Sequence, residues 1–354
     1  MRVGLDATPL LGVRTGIGRY TADLLTALAP GPDELVATAF TLRGRGGLVV
    51  PPPVAVRARP VPARLLQEAW ARGPFPPVEL LTGRLDVFHA TNFVLPPLRR
   101  AGGVVTIHDL AFLRLTSTVS AASARYRALV PRSVRRARVV LTPSRAVADQ
   151  VREAYAAELG ATPVQVVPHG VDPRWRTASP PDAGLRARLG LPPAYVLFVG
   201  TLEPRKDLPT LLAAHRRLPD APPLVLVGPP GWGERVDVSG VVTPGFVGDD
   251  DLRRVVAGAA ALVLPSRDEG FGLTVLEALA AGTPVVASDL PVLREVGGTA
   301  VTYAPVGDVE AFAAALSAVL ASPGDPQVRR AQAAPFSWQR SAEGHRAAYA
   351  LASS

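Results

Sequence analysis

Two cations stand side by side in the segment FVGTLEPRKDL, Phe198–Leu208: Arg205 and Lys206. An apolar run leads into a turn there and helical periodicity follows, so both side chains sit beside a helix start. Fixed cations next to free helix amides suit a diphosphate, whose charge grows when it departs as a leaving group. A solvated turn with incidental charges is the bland alternative. Lys206 weighs against it, being the only lysine among 38 basic residues. Asn92 is likewise the single asparagine, and isoleucine occurs only at Ile17 and Ile107. Such usage reads as a coding bias toward Ala, Arg, Gly and Pro that writes Arg wherever a generic positive charge is enough. An ammonium kept under that bias marks a place where lysine and arginine differ.

A second candidate constellation is PSRDEGFGLTVLEALAAGTPVVASD, Pro265–Asp289. Glu269 lies in a Gly-broken loop and Glu277 along the helix that follows. The amides of Phe271, Gly272 and Leu273 fall at that helix start, where backbone donors lack intrahelical partners. Glu269 can accept from sugar hydroxyls and Glu277 from a ribose diol, whereas capping and surface exposure are the plain readings. Near the start of the chain, Asp6 closes an apolar run and TGIGRY, Thr15–Tyr20, opens a helix. Gly16 and Gly18 there allow close backbone approach to an anion, without the full dinucleotide fingerprint.

Three histidines, His89, His108 and His169, close or follow apolar runs, where their side chains are expected to project toward ligand. His108, paired with Asp109 in TIHDL, is favoured for orienting a hydroxyl, ahead of His169 and then His89. His215 and His345 fall in helical patterns and need no special reading. Asp249 and Asp251 form a DxD spacing, but acidic residues opening a helix explain it better than a metal. Arg125, Arg127, Arg132, Arg135, Arg136 and Arg138 make a basic segment that could meet an anionic leaflet. Because Arg is over-used throughout, a solvated face is the favoured reading.

These residues need rigid carriers. Apolar runs at Arg2–Asp6, Leu35–Thr41, Asp86–His89, Val104–Ile107, Val139–Thr142 and Val164–Val167 predict strands in the first half. Helical patterns at Gly18–Leu28, Ala121–Arg136 and Arg145–Leu159 lie between them. The second half repeats the alternation, with strands at Tyr195–Val199, Leu224–Val227, Val241–Thr243, Ala261–Leu264, Pro284–Ala287 and Ala300–Tyr303. Its helices are expected at Leu208–Leu218, Asp249–Ala257, Gly272–Ala281, Val309–Leu320 and Trp338–Leu351. Such β–α alternation predicts an α/β chain with two doubly wound, Rossmann-like domains facing a central cleft. Pro168–Pro193 reads as the linker, and Pro51–Pro77 as an irregular excursion with a short helix around Leu65–Trp70.

Length and composition set the outer bounds. The 354 residues favour two domains over one. A hydrophobic share of 48% excludes intrinsic disorder, and zero cysteines exclude disulfides, thiolate metal sites and a cysteine nucleophile. The net charge, 38 − 30 = +8, largely reflects the arginine bias. No aromatic-interleaved basic motif supports nucleic-acid binding. The opening MRVGLDATPLLG lacks a long apolar core, and no stretch approaches ~18 apolar residues, so a cytoplasmic location is expected.

Taken in order, TGIGRY, HDL at His108–Leu110, VPHGVD at Val167–Asp172, GTLEPRK at Gly200–Lys206 and EGFGLTVLE at Glu269–Glu277 resemble the family 4 glycosyltransferases. These are retaining enzymes of the GT-B fold, and the resemblance covers nearly the whole chain. It implies an N-terminal acceptor-side domain (1–175), a C-terminal nucleotide-sugar domain (176–335) and a last helix (336–354) crossing back to the first. It gives Arg205 and Lys206 the donor diphosphate with backbone help at Gly16, Glu277 the ribose, and Glu269 with Phe271, Gly272 and Leu273 the transferred sugar. His108 would meet that sugar, and backbone near Phe246 and Val247 the base. Thr274 stands where the family often has Pro, and Asp207 where Asn is frequent.

The resemblance further implies a same-face displacement in which the leaving oxygen takes the acceptor's proton, without a bridging metal or other cofactor. GDP-mannose is the first expectation for the donor, and a glycan or lipid-linked compound for the acceptor, with peripheral contact at the inner membrane face a further expectation. A sugar-nucleotide 2-epimerase, or a non-catalytic sugar-nucleotide-binding partner, is the alternative.

Overall fold

Short runs of Val and Leu form strands buried on both faces, as parallel sheets require. The structure, a computed structural model, describes residues 1–12, 16–41, 47–114, 125–232 and 236–354. The chain divides into two units, one of Met1–Gly170 with Phe336–Ser354 and one of Val171–Pro335. The break falls a few residues before the expected 175/176. Trp175, only 1% exposed, packs with the helices Asp249–Ala257 and Leu273–Ala281 and so draws its short turn into the second unit.

The first unit holds β1 (Arg2–Asp6), β2 (Glu34–Thr38), β3 (Ala55–Val56), β4 (Val87–Ala90), β5 (Gly102–Thr106), β6 (Val139–Thr142) and β7 (Val164–Val166). They pair in parallel in the order β3-β2-β1-β4-β5-β6-β7. Adjacent residues serve opposite faces: Val104 packs with Leu24, Leu25 and Tyr349, and Val105 with Trp70, Val130 and Val134. The second unit holds β8 (Val196–Val199), β9 (Leu224–Val227), β10 (Val242–Gly245), β11 (Ala261–Leu264), β12 (Val285–Ser288) and β13 (Thr302–Ala304). Their order is β10-β9-β8-β11-β12-β13, again parallel. Each sheet reverses its order once, between β1 and β4 and between β8 and β11. Those reversals are where loops diverge and ligands bind in open α/β sheets.

The short helix expected around Leu65–Trp70 is present as Ala63–Arg72, while other local expectations need correction. The Pro51–Pro77 excursion also contains β3. The Pro168–Pro193 linker contains a helix at Ala183–Leu189, capped by Asp182 and ended by Gly190 in the left-handed region. The single helix expected over 145–159 breaks at Tyr155, whose backbone leaves helical geometry. Helices at Pro291–Gly297 and Pro326–Ala333 were not anticipated, although both carry a proline in the first turn, where its missing N–H does no harm. Residues 121–124 of the expected helix over 121–136 lie outside the described residues, and Tyr126–Arg136 is helical.

The terminal helix, Trp338–Ser353, packs within the first unit. It lies so close to β5 that a Cβ on Gly102 would meet the Ala352 carbonyl oxygen at 1.9 Å. Beneath it runs a buried relay. His345 Nδ1 lies 2.7 Å from the Ser341 carbonyl, which can only accept, so that nitrogen carries the proton and neutral Nε2 accepts. Tyr20 Oη therefore donates to His345 Nε2 (3.0 Å) and accepts from Thr106 Oγ1 (3.1 Å). Thr106 Oγ1 in turn accepts from His89 Nε2 (2.8 Å), and His89 Nδ1 accepts from Tyr349 Oη (2.8 Å). His89 is thus a fully buried core residue with both ring nitrogens engaged, not one projecting toward ligand. His345, for which no role was expected, ends the relay.

Burial pushes His89 and His169 well below the usual imidazole range, and His345 down to about 4. The folded state therefore binds fewer protons than the unfolded chain between pH 6.5 and 4, so stability is lost on acidification through that window. His345 alone contributes on the order of 3 kcal/mol. Urea unfolding at pH 7 and pH 4.5 checks this. Equal stabilities at the two pH values would show that the relay is not held neutral.

Candidate functional site

Two loops meet at the β8/β11 reversal. The loop after β8 leaves through Gly200 and makes a single tight turn at Pro204–Lys206. A Cβ on Gly228, whose φ is +147°, would stand 2.0 Å from the Gly200 carbonyl oxygen, so only glycine lets the β9 loop lie against this one. The loop after β11 is tied on by backbone, Arg267 N donating to Arg205 O at 2.8 Å.

Side chains then close the junction. Lys206 Nζ lies 2.6 Å from Glu269 Oε1, and Arg205 NH1 lies 3.1 Å from Glu269 Oε2. Ser266 Oγ donates to Glu269 Oε1 (2.7 Å), and Arg205 also pairs with Glu203 (2.7 Å) and donates to the Asp268 carbonyl (2.6 Å). Burial pushes the Glu269 carboxyl up, but Lys206, Arg205 and the Ser266 hydroxyl outweigh it and hold the group at about 2. It stays ionised throughout the neutral range. Lys206, 11% exposed, has Glu269 as its hydrogen-bond partner and, among the described residues, keeps two further N–H donors for a ligand.

Below this cluster lies a latch. Asp207, in the left-handed region at φ 48°, turns its carboxylate inward to a side chain exposure of 2%. Asp and Asn tolerate that conformation better than most residues. Arg267 grips both of its oxygens, at 3.1 and 3.2 Å, and Thr210 Oγ1 donates at 2.9 Å. The expected helix start is also present: Gly272, φ +89°, precedes the helix Leu273–Ala281 and offers no side chain to cover the first-turn amides. Phe271 and Glu277 are buried, as is the helix from Val275 to Ala281.

Of the residues singled out from sequence, Arg205, Lys206 and Glu269 touch one another, and Phe271, Gly272 and Leu273 follow directly. Phe246, 55% exposed, and buried Val247 follow β10. Gly16, Gly18 and His108 belong to the first unit. Gly16 opens the helix Gly16–Leu28 with open space where a Cβ would sit, and Gly18 is buried. Thr15 of the TGIGRY turn lies outside the described residues. His108 Nε2 donates to the Thr91 carbonyl at 2.7 Å, and burial lowers its basicity. His169 is buried against Tyr20 and Trp338.

Asp250 and Asp251 are paired with Arg253 and Arg188 in the first turn of the helix Asp249–Ala257. Among the described residues, no group of three or more His, Asp or Glu is placed to hold a metal ion. The basic segment is largely structural. Arg127, Arg136 and Arg138 donate to backbone carbonyls of Phe112, of Leu95 and Trp70, and of Ala352, while Arg135 pairs with Glu158. Among the described residues, no helix is long and apolar enough to cross a membrane. Sequence reasoning missed Glu203 and Ser266, close in sequence to Arg205 and Glu269, and the Asp207–Arg267 latch, whose partners lie sixty positions apart with nothing local to mark them.

With this geometry in place, comparison with known proteins is informative. The family model for Glycosyltransferase Family 4 matches residues 14–175, and that for Glycosyl transferases group 1 matches residues 193–322. The chain belongs to the family 4, group 1 glycosyltransferases. Like other members of that family it has the GT-B fold, an α/β architecture of two Rossmann-like units. Over 162 residues it is 38% identical to O-antigen chain mannosyltransferase B of Escherichia coli, covering 41% of this chain and 42% of that one. Over 285 residues it is 34% identical to a glycogen synthase of Mycobacterium tuberculosis, covering 72% and 66%. The alignments thus span 42% and 66% of those two relatives. The solved Anabaena HepE in complex with UDP and glucose aligns over 98% of both chains with a TM-score of 0.69 at 17% identity.

The latch generates a prediction about this family 4 chain. Arg267→Ala leaves the buried Asp207 carboxylate without its cation and is expected to destabilise by about 1–3 kcal/mol. Asp207→Asn keeps the backbone conformation and the Thr210 bond while removing that charge. The double variant should therefore lose less than the two singles together, as read by denaturant unfolding. Strict additivity would show the pair is not coupled.

Proposed function

We propose that this protein is a retaining glycosyltransferase that moves a hexose from a nucleotide-diphosphate sugar to a hydroxyl acceptor. The observation that carries the reading is the ion cluster at the β8/β11 reversal, with Lys206 fixed and two of its donors left for a ligand. In the reaction, the bond from the anomeric carbon to the diphosphate oxygen breaks and one from the same carbon to the acceptor oxygen forms. The acceptor hydroxyl proton passes to the departing oxygen on the same face. Charge develops on that oxygen, and Arg205 and Lys206 are positioned to meet it before it forms, which is how fixed charges lower a barrier.

Glu269 is assigned the transferred sugar and, because its oxygens are engaged by Lys206, Arg205 and Ser266, the further part of holding those cations in place. Gly272 and the amides after it supply neutral donors beside the same point. Glu277, buried one helix segment further on, is assigned the ribose diol, and backbone at Phe246 and Val247 the base. His108 and the helix start at Gly16 and Gly18 are assigned to the sugar and phosphate from the first unit.

Mannose from GDP-mannose is the favoured donor, supported by the likeness to the O-antigen mannosyltransferase; the glycogen synthase and the UDP complex make glucose and uracil the competing pair. A glycan or lipid-linked compound is the favoured acceptor. No metal or other cofactor enters the scheme, since the cations that would balance the diphosphate are side chains.

Lys206→Ala is expected to lower kcat by about 100-fold or more, the loss typical of a fixed transition-state donor, and near-normal turnover would refute its role. Turnover should persist in EDTA. A thermal-shift panel of GDP, UDP, ADP and dTDP should show its largest rise with GDP; a larger rise with UDP would reassign the donor.

A further inference from the structure

A cation is buried in the second unit at a place the donor chemistry does not use. Arg329, on the helix Pro326–Ala333, is only 7% exposed. Among the described residues it has no salt-bridge partner, and its guanidinium donates instead to the carbonyls of Gly282 (2.8 Å), Pro323 and Gly324 (3.4 Å). Burial lowers its basicity, and Asp325, which caps the same helix, restores only part of it. Arginine stays charged even so. Its neighbour Arg330 donates to the Ala281 carbonyl at 3.1 Å. A buried cation without a counter-ion is destabilising unless other groups compensate it.

The compensation comes from the carboxyl end of the helix Leu273–Ala281. Gly282 ends that helix in the left-handed region at φ +86°, and the amides of Gly282 and Thr283 satisfy the Leu279 and Ala278 carbonyls. The carbonyls of Ala281 and Gly282, further on, are the ones the two arginines take. Aligned peptide dipoles place about half a negative charge at this end and half a positive charge at the other.

The amino end is treated differently. The helices Ala183–Leu189, Val309–Ala321 and Pro326–Ala333 each start on an aspartate whose side chain accepts from a first-turn amide. Leu273–Ala281 starts on Gly272, with no side-chain cap and no acidic residue in its first turn. Glu269, just before that cap, is already engaged by Lys206, Arg205 and Ser266. The negative pole of this helix is thus neutralised by side chains while its positive pole is left uncapped. From Val275 to Ala281 the helix is buried, so little water lies between the poles to screen one from the other.

We propose that Arg329 and Arg330 are positioning residues for the donor diphosphate, which act through this helix by cancelling its negative pole and so raising the positive potential at Gly272. Neither touches the ligand. The inference rests on the reading that a nucleoside diphosphate binds at that end. Nine residues separate the poles by about 13 Å. A unit charge at that range, partly screened, changes the affinity for a doubly charged phosphate by about three- to tenfold. Packing alone is the competing account, and the charge of the ligand separates the two.

The test is calorimetry on the full chain with GDP, GMP, UDP and UMP, using the base whose diphosphate wild type binds more tightly. Arg329→Met and Arg330→Met keep much of the side chain and remove its charge. Each should weaken the diphosphate by about three- to tenfold and leave the monophosphate within about twofold of wild type, because the terminal phosphate carries the oxygen that departs beside Gly272. Arg330→Lys, at the less buried of the two positions, keeps the charge and should bind the diphosphate within about twofold of wild type. Equal losses for diphosphate and monophosphate, no loss at all, or a lysine variant as weak as the methionine one each overturns the inference and leaves the donor reading intact. If Arg329→Met fails to fold by circular dichroism, the Arg330 variants decide, and conversely. Should wild type bind neither diphosphate, the donor reading falls and this inference falls with it.

Discussion

A carboxylate taken out of water must be met by cations, and Glu269 is where that requirement organises the second unit. Its partners, Arg205 and Lys206, come from a different loop, so satisfying it forces the β8 and β11 loops together. Everything else at the junction serves this approach. Gly228 lets the β9 loop lie flat against Gly200, Arg267 ties its own backbone to Arg205, and the Asp207–Arg267 pair locks the turn from below. A buried ion cluster is a poor way to gain stability, because apolar packing of the same volume often does as well. Its presence at a strand-order reversal is therefore better explained by what the cations do than by what they hold up.

The first unit solves its burial problem without charge. Four histidines, His89, His108, His169 and His345, gather around Tyr20, and where a carboxylate acts on one of them, Asp109 on His108, burial outweighs it. Burial keeps them neutral, and one carbonyl, that of Ser341, fixes the direction of the hydrogen bonds from Tyr349 through to His345. Such a network works only if every member is satisfied, which demands the terminal helix in place, since Ser341, His345 and Tyr349 all lie on it. The packing of that helix and the tautomers of the core are thus one constraint seen from two sides.

How much of this was legible follows from the range of each signal. Strands such as Val139–Thr142 and Ala261–Leu264 announce themselves as apolar runs, because both faces of a parallel strand are buried. The Lys206 turn and the Gly272 helix start were visible because their chemistry is local. His89 and His345 were misjudged for one reason. Position near a strand end or in a helix does not say which way a ring faces, and both face the core between β4, β5 and the terminal helix. The linker helix Ala183–Leu189 was hidden by prolines that flank it without entering it. Long-range pairs such as Asp207 with Arg267 leave no periodic trace at all.

Composition carried what periodicity could not. In a chain that writes almost every cation as arginine, Lys206 persists at 2.6 Å from Glu269 in a site that leaves it little exposure. A compact ammonium can bridge a carboxylate and a ligand oxygen there, whereas a guanidinium would present a planar fork to a gap shaped for a point charge. The same logic applies to Asn92. Aspartate, the acid this chain uses freely, would place a second negative charge in the small cavity beyond β1 and β4 that Asn92 lines together with Asp6, and like charges sharing a site disfavour ionisation of both. Glutamine would carry the same amide on a longer stem from the turn in which Phe93 takes φ +60°. A residue type that survives against a compositional tide is therefore informative when its near substitutes fail for a nameable steric or electrostatic reason, and at both positions they do.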